Sequence, residues 1–202
     1  MQDSHLRARE LFDATAQTYH DRSAARSRDF LAVLFGRRIA IVQGFLDRVP
    51  AGGTVLDFGM GPAVFGRDCA QRGLHYIGLD ISPKMVEEAR ALGLPNAEFH
   101  VGDMDSLPSY RASVSTVLAI GLLDYLEEPE RGLRLLAECV RPGGHLIVSF
   151  RNRRSVPRLL RDTSRQLARW IPRRSRESSE KALLAAVHEH SFDFSSRLRP
   201  QL

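Results

Sequence analysis

An α/β fold with a mostly parallel sheet and helices on both faces is the class this sequence predicts, and three observations predict it. From Gly53 onward short apolar runs alternate with helical periodicity, which is the pattern of βαβ units. The first of those runs ends in a glycine turn, Asp57-Phe58-Gly59-Met60-Gly61-Pro62-Ala63, that leads into a helix. A length of 202 residues suits one such domain with a sizeable core and is short for two.

The elements follow in order. An opening helical region over about Ser4 to Tyr19 places Ala8, Leu11, Phe12, Thr15 and Tyr19 on one side. A second amphipathic helix, about Asp29 to Arg48, repeats apolar residues at Leu31, Leu34, Phe35, Ile39, Val42, Phe45 and Leu46. Strands are expected at Thr54 to Phe58, His75 to Asp80, Ala97 to Val101, Val114 to Ile120 and His145 to Phe150. Between them lie helices near Val64 to Arg72, Pro83 to Leu92 and Pro129 to Val140. Ser82 reads as an N-cap because Pro83 follows at the first helical position. Arg141-Pro142-Gly143-Gly144 is expected to end the last of these helices and turn the chain into the final strand.

Composition narrows the class further. Hydrophobic residues make up 43% and charged residues 26%, near globular averages, so neither a disordered nor a membrane-spanning chain is indicated. No apolar run approaches the roughly 18 residues of a membrane helix, and the first residues lack an apolar signal core. A cytoplasmic location is the resulting expectation. Cys69 and Cys139 show no CxxC or metal-ligand spacing and read as buried free thiols, so no metal is expected. Residues 1–150 carry 16 basic and 19 acidic side chains, a net of −3, whereas residues 151–202 carry 13 and 5, a net of +8. The basicity is therefore local.

The glycine turn lets backbone approach a ligand closely, but by itself it does not say which ligand. A dinucleotide fingerprint needs G-x-G-x-x-G, and Val64 stands where its third glycine would be. Asp57, two residues before Gly59, would sit close to a pyrophosphate and repel it, whereas it suits an ammonium or sulfonium. Asp80 closes the second strand 21 residues beyond Gly59, where a carboxylate can accept both hydroxyls of a ribose. Asp103 follows the third strand where an adenine amino group could lie, with Met104 as an apolar surface for the ring. Singly, each acid could equally cap a helix or face solvent, and Met104 could simply pack in the core. Three acids at successive strand ends together describe a pocket at the carboxyl edge of the sheet.

The segments VLDFGMGPA, YIGLDISPKMVEEAR, VGDMDSLP and LLAECVRPGGHLIVSF, in this order and spacing, resemble class I S-adenosylmethionine-dependent methyltransferases, especially the small-molecule and quinone-biosynthesis type. The resemblance is close over roughly residues 50–150. In the preceding flank, the run from Phe12 to Tyr19 looks like the lid segment of such enzymes. The resemblance implies a Rossmann-like domain with S-adenosyl-L-methionine as cofactor. It also implies cofactor-binding roles for Asp57, Gly59, Gly61, Asp80, Ile81, Asp103 and Met104. In the family the match to Asp57 and the two glycines hold the methionine end, the match to Asp80 binds ribose, and the match to Asp103 binds the adenine amino group. Pro62 and Ala63 depart from the pattern, Ala63 standing where many relatives have a third glycine. On this division residues 1–50 form a helical lid, 51–150 the cofactor-binding core, and 151–202 a basic helical segment with a terminal strand of the same domain.

Methyl transfer from a sulfonium is an in-line displacement on an activated carbon, so alignment of the nucleophile and exclusion of water come first and a general base is optional. Candidates for that base are Asp124 and Tyr125 after the fourth strand and His20 in the N-terminal segment. Each also has a plain structural reading, as a cap, a core aromatic or a solvated residue. Arg37 and Arg38 could reach a carboxylate of cofactor or substrate, although helix arginines commonly face solvent. After the fourth strand, Ile120-Gly121-Leu122-Leu123-Asp124-Tyr125 lacks the Asn/Asp-Pro-Pro-aromatic motif of amino-directed DNA methyltransferases, which argues against duplex DNA as substrate. The expected acceptor is a small molecule or a lipid-like compound. Two other classes remain open, a non-catalytic cofactor-binding or interaction domain and, with less support, an NAD(P)-dependent oxidoreductase.

Residues 151–176 hold ten arginines against Asp162 as the one acid. A helix over 155–174 would be basic and amphipathic, serving as a cover over the site, a peripheral contact with an anionic membrane surface, or a nucleic-acid contact. Beyond it the sequence offers a helix near Glu180 to His190 and one strand, about Phe192 to Leu198. The C-terminal strand hairpin usual for this fold is therefore expected to be incomplete.

Overall fold

The computed structural model describes Asp13 and residues 30–150. The expected lid helix apart from Asp13, His20, the basic segment 155–174 and the terminal helix and strand lie outside the described residues.

Among the described residues four helices and five strands follow one another much as the sequence pattern requires. They are α1 (Phe30–Leu46), β1 (Thr54–Phe58), α2 (Gly66–Gln71), β2 (His75–Asp80), α3 (Pro83–Ala91), β3 (Ala97–Val101), β4 (Val114–Ala119), α4 (Pro129–Cys139) and β5 (Val140–Val148), with 3₁₀ turns at Met104–Tyr110 and Leu123–Tyr125. The sheet is wholly parallel in the order β3-β2-β1-β4-β5. The chain therefore steps outward from β1 to β3, returns, and continues on the other side of β1. That reversal leaves a crevice at the carboxyl ends of β1 and β4, the usual ligand position in open α/β sheets.

Two apolar layers hold the sheet. On one face Val42 and Leu46 of α1, Cys69 of α2 and Val86 and Ala89 of α3 pack on Val55 and Tyr76. On the other, Leu136 and Cys139 of α4 and Leu107 pack on Leu56, Phe58, Ile77 and Leu79. Alternate residues of each strand feed alternate layers, so both faces of β1, β2 and β4 are buried, as a doubly covered parallel sheet demands.

The first three strands run as the sequence predicts. Ser82 caps α3, accepting a hydrogen bond from the Met85 amide at 3.1 Å with Pro83 inside the first turn. Two expectations need correction. The helix expected from Val64 starts at Gly66, because the turn continues through Ala63, which adopts φ +50°. Helical backbone needs negative φ, so the helix cannot begin before that residue has passed. The final strand starts at Val140 rather than His145: Val140 pairs with Val114 and His145 with Thr116, so Arg141-Pro142-Gly143-Gly144 forms a bulge inside β5 and not a turn before it. Gly143, at φ +78°, absorbs that excursion.

Candidate active site at the carboxyl edge of the sheet

The glycine turn after β1 lies across the end of β2. The amides of Gly59 and Met60 both donate to the Leu79 carbonyl, at 2.8 and 3.1 Å. The Gly61 amide donates to Asp80 Oδ2 at 2.8 Å and the Ser82 amide to Asp80 Oδ1 at 2.9 Å. The Asp80 carbonyl in turn accepts from the Gly102 amide at 2.9 Å. Asp80 thus ties the loops after β1, β2 and β3 together. Half-buried Ile81 follows it, adding its own backbone hydrogen bond to the carboxylate.

The two glycines of the turn differ in surroundings. Both adopt left-handed backbone, Gly59 at φ +72° and Gly61 at φ +52°. A methyl group on Gly59 would meet Leu122 Cδ1 at 2.8 Å, so that glycine is needed for packing as well as for its dihedral. On Gly61 a methyl would meet nothing within 4 Å. The turn therefore presents open space and a close backbone approach at Gly61.

Asp57, only 2% exposed, lies at the penultimate position of β1. Its Oδ2 accepts a 2.7 Å hydrogen bond from the Tyr76 hydroxyl. Burial pushes its carboxyl up to about 7, with Tyr76 opposing the shift and the charge of Asp80 adding to it. The Asp80 carboxyl is also raised, chiefly by burial, while the Ser82 and Gly61 amides hold it down and Asp13 pushes it up. Two buried acids side by side are poor company for an anion and good company for a cation.

Asp103 is half-buried beyond β3, its Oδ1 accepting from the Asp105 amide at 2.9 Å as the cap of the 3₁₀ turn. Cap and acceptor roles are compatible, since a carboxylate has about four acceptor positions. Met104 is buried at 5% exposure in the layer against α4, its Sδ 3.3 Å from where a methyl on Gly132 would stand. Its packing partners are thus those of a core residue. Asp124 is buried and Tyr125 half-buried on the 3₁₀ turn after β4. Arg37 and Arg38 are exposed on α1, and Arg38 Nη1 lies 3.3 Å from the methyl position of Gly121, at the carboxyl end of β4. Among the described residues no group of three or more His, Cys, Asp or Glu side chains could hold a metal. No helix among them is long and apolar enough to cross a membrane.

Sequence reasoning missed Tyr76, Ser82 as a tie, and Asp13. Tyr76 read as one more apolar strand residue. Only the pairing of Val55 with Tyr76 brings its hydroxyl under Asp57. Asp13 hydrogen-bonds the Ser82 hydroxyl, which brings an N-terminal carboxylate to the end of β2.

Residues 55–144, the span that contains the turn and all three acids, match the family model described as a methyltransferase domain. A ubiquinone biosynthesis O-methyltransferase of Xanthomonas axonopodis pv. citri is 30% identical over 108 residues, covering 52% of this chain and 45% of the relative. Over residues 55–144 the chain is thus similar to methyltransferase domains. A namesake enzyme of Xanthomonas oryzae pv. oryzae is 28% identical over 141 residues, covering 67% of this chain and 58% of the relative. The chain thus spans about half the length of the curated relatives it matches. Among solved structures, a Haloferax volcanii protein in complex with the Trm112 methyltransferase activator is 31% identical with a TM-score of 0.54, covering 68% of this chain and 58% of that one. Magnesium protoporphyrin IX methyltransferase from Synechocystis, solved with bound SAH, shares the fold at a TM-score of 0.66 and 21% identity, covering 88% and 86%.

S-adenosylmethionine is the cofactor that the sequence resemblance implies, and the residues present fit it. The fit rests on the open space over Gly61 and on the buried carboxylate of Asp57, which a positively charged ligand would relieve.

Proposed function

We propose that this protein transfers a methyl group from S-adenosylmethionine to a small-molecule or lipid-like acceptor. The observation that carries the reading is the junction at Asp80: one buried carboxylate pins the glycine turn against the end of β2, beside a second buried carboxylate, Asp57. When bound, the cofactor supplies an activated methyl on a sulfonium.

The chain's own residues supply placement. Asp57 and the backbone of Gly59 and Gly61 hold the charged methionine end. The Asp80 carboxylate accepts from the Gly61 amide on one oxygen and the Ser82 amide on the other, and its roughly four acceptor positions leave room for a ribose hydroxyl. Ile81 lines the same strand end, and Asp103 offers an acceptor to the adenine amino group. Met104 would act indirectly, by packing the loop that carries Asp103. The names of the Xanthomonas relatives support a hydroxyl acceptor. For such an acceptor Asp124, buried on the turn that follows β4, is the residue we propose to take the proton.

Calorimetric titration with S-adenosylmethionine and, separately, with NAD tests the cofactor assignment. Saturable binding of the first and none of the second is expected. Incubation of the full chain with methyl-labelled cofactor and a small-molecule cell extract tests the chemistry, with mass spectrometry identifying the labelled product. Cofactor binding without label transfer would favour a non-catalytic binding domain and overturn the enzymatic reading.

A further inference from the structure

The Tyr76 hydroxyl plays no part in the chemistry above, and its position calls for a role. Tyr76 is 1% exposed, so its hydroxyl must find a partner inside the protein. That partner is Asp57, at 2.7 Å. The ring is fixed independently of the hydroxyl, tilted at 59° against Phe99 with centroids 5.9 Å apart, and 3.5 Å from the methyl position of Gly66. Burial holds the phenol well above its ordinary ionisation range, so across neutral pH it remains a donor.

We infer that Tyr76 is a positioning residue whose hydroxyl favours the ionised form of the Asp57 carboxylate, the form that pairs with the cofactor's positive end, and that cofactor binding is coupled to loss of a proton from Asp57. This rests on the cofactor assignment made above. A phenol that can only donate favours the carboxylate over the carboxylic acid. The other groups around Asp57 act the opposite way or stand further off. Asp80 at the end of β2 adds negative charge, and Cys69 of α2 is an un-ionised thiol, itself pushed up to about 12 by burial. Asp13 adds a further negative charge beside Ser82, and Asp124 is buried beyond the end of β4. Arg38 of α1 is the cation on that side, against Gly121. Within this set Tyr76 is the group that touches Asp57 directly and favours its charged form.

The linkage has a readable sign. A carboxyl that titrates near 7 must shed its proton before it pairs with a cation, so affinity rises with pH through that value. Between pH 6 and pH 8 the expected gain is about tenfold. Tyr76→Phe keeps the ring and removes the donor. Losing one hydrogen bond to a carboxylate should move the midpoint upward by about one pH unit, weakening binding about fivefold at pH 7 and less than about twofold at pH 8.5.

The experiment is calorimetric titration of the full chain with S-adenosylhomocysteine, which keeps the ammonium group, from pH 5.5 to 8.5, for wild type and Tyr76→Phe. An upward shift of the midpoint in the variant is the expected result. A merely structural role would lower affinity equally at every pH and leave the midpoint unmoved, and that result overturns the inference. Absence of binding by wild type at every pH overturns the cofactor assignment and this inference with it. Should Tyr76→Phe fail to fold, Asp57→Asn decides: weak binding with no step near pH 7 supports the coupling, and a surviving step assigns the proton to another group and refutes it.

Discussion

Gly61→Ala separates folding from ligand binding at a single methyl group. At φ +52° an alanine sits in left-handed backbone, which costs roughly 1–2 kcal/mol. Reduced freedom of the unfolded chain returns about 0.4–1 kcal/mol of that. No atom lies within 4 Å of the new methyl, so there is no packing penalty to add. The net destabilisation should be about 1 kcal/mol, a fall in Tm of roughly 2–4 °C for a chain of this size. The same methyl projects into the space assigned to the cofactor, where overfilling a close contact costs about 1–3 kcal/mol, or roughly 5- to 150-fold in affinity. Thermal melting and calorimetric titration with S-adenosylmethionine, on the same preparations, give both numbers. A variant that melts slightly lower yet binds the cofactor as tightly as wild type would refute the assignment of that space.

Four further outcomes follow from the same geometry. Gly59→Ala adds a collision with Leu122 at 2.8 Å to its left-handed dihedral, so it should lose about 2–5 kcal/mol in denaturant melts, well beyond the Gly61 variant. In the cofactor-free protein the Asp57 carboxyl titrates at about 7 against an ordinary 3.8, so the stability it contributes is complete below pH 4 and is lost as pH rises through 7. Asp57→Asn should flatten that decline and raise Tm at pH 8, by up to about 4 kcal/mol in stability; parallel pH profiles for the two proteins would contradict the assignment. Ala63→Gly relieves a left-handed dihedral but removes a buried methyl worth about 0.8 kcal/mol, so its Tm should stay near wild type, whereas Ala63→Val should lose several kcal/mol by the same melt. Cys69 and Cys139, with thiols pushed up to about 12 and about 11 by burial, should resist a thiol-specific dye until the protein unfolds, and a fast-reacting thiol in the native state would show the packing around it to be wrong.

What could be read without coordinates was whatever local chemistry decides. β1 and β2 are legible because largely apolar runs stop at glycine or aspartate, and α3 because Ser82-Pro83 is both cap and first turn. The start of β5 was not, since Pro142-Gly143-Gly144 is a turn signal by composition and becomes a bulge only because Val114 is available to pair with Val140. The start of α2 depended on Ala63, which keeps the left-handed turn expected of a glycine despite its side chain. Among the site residues, the Gly59 and Gly61 amides bond to the end of β2 at Leu79 and Asp80, and Asp57 lies near enough to feel the charge of Asp80. Met104 could not be resolved between core and ligand surface from sequence, and its position against α4 gives it core partners. Tyr76 was invisible for a different reason: its partner is 19 residues away and meets it only across a strand pair.

The rim of the sheet at β3 has one more property. Backbone pairing to β2 uses alternate residues of β3, which turns the Phe99 carbonyl outward, and the Arg90 guanidinium from α3 donates to it at 2.6 Å. Val101, half exposed on the same strand, shares this margin with Glu98 and His100, whose exposed side chains pair with each other. Among the described residues this is where the sheet ends, and the Arg90 cation closes one of its outward acceptors to a strand of another molecule.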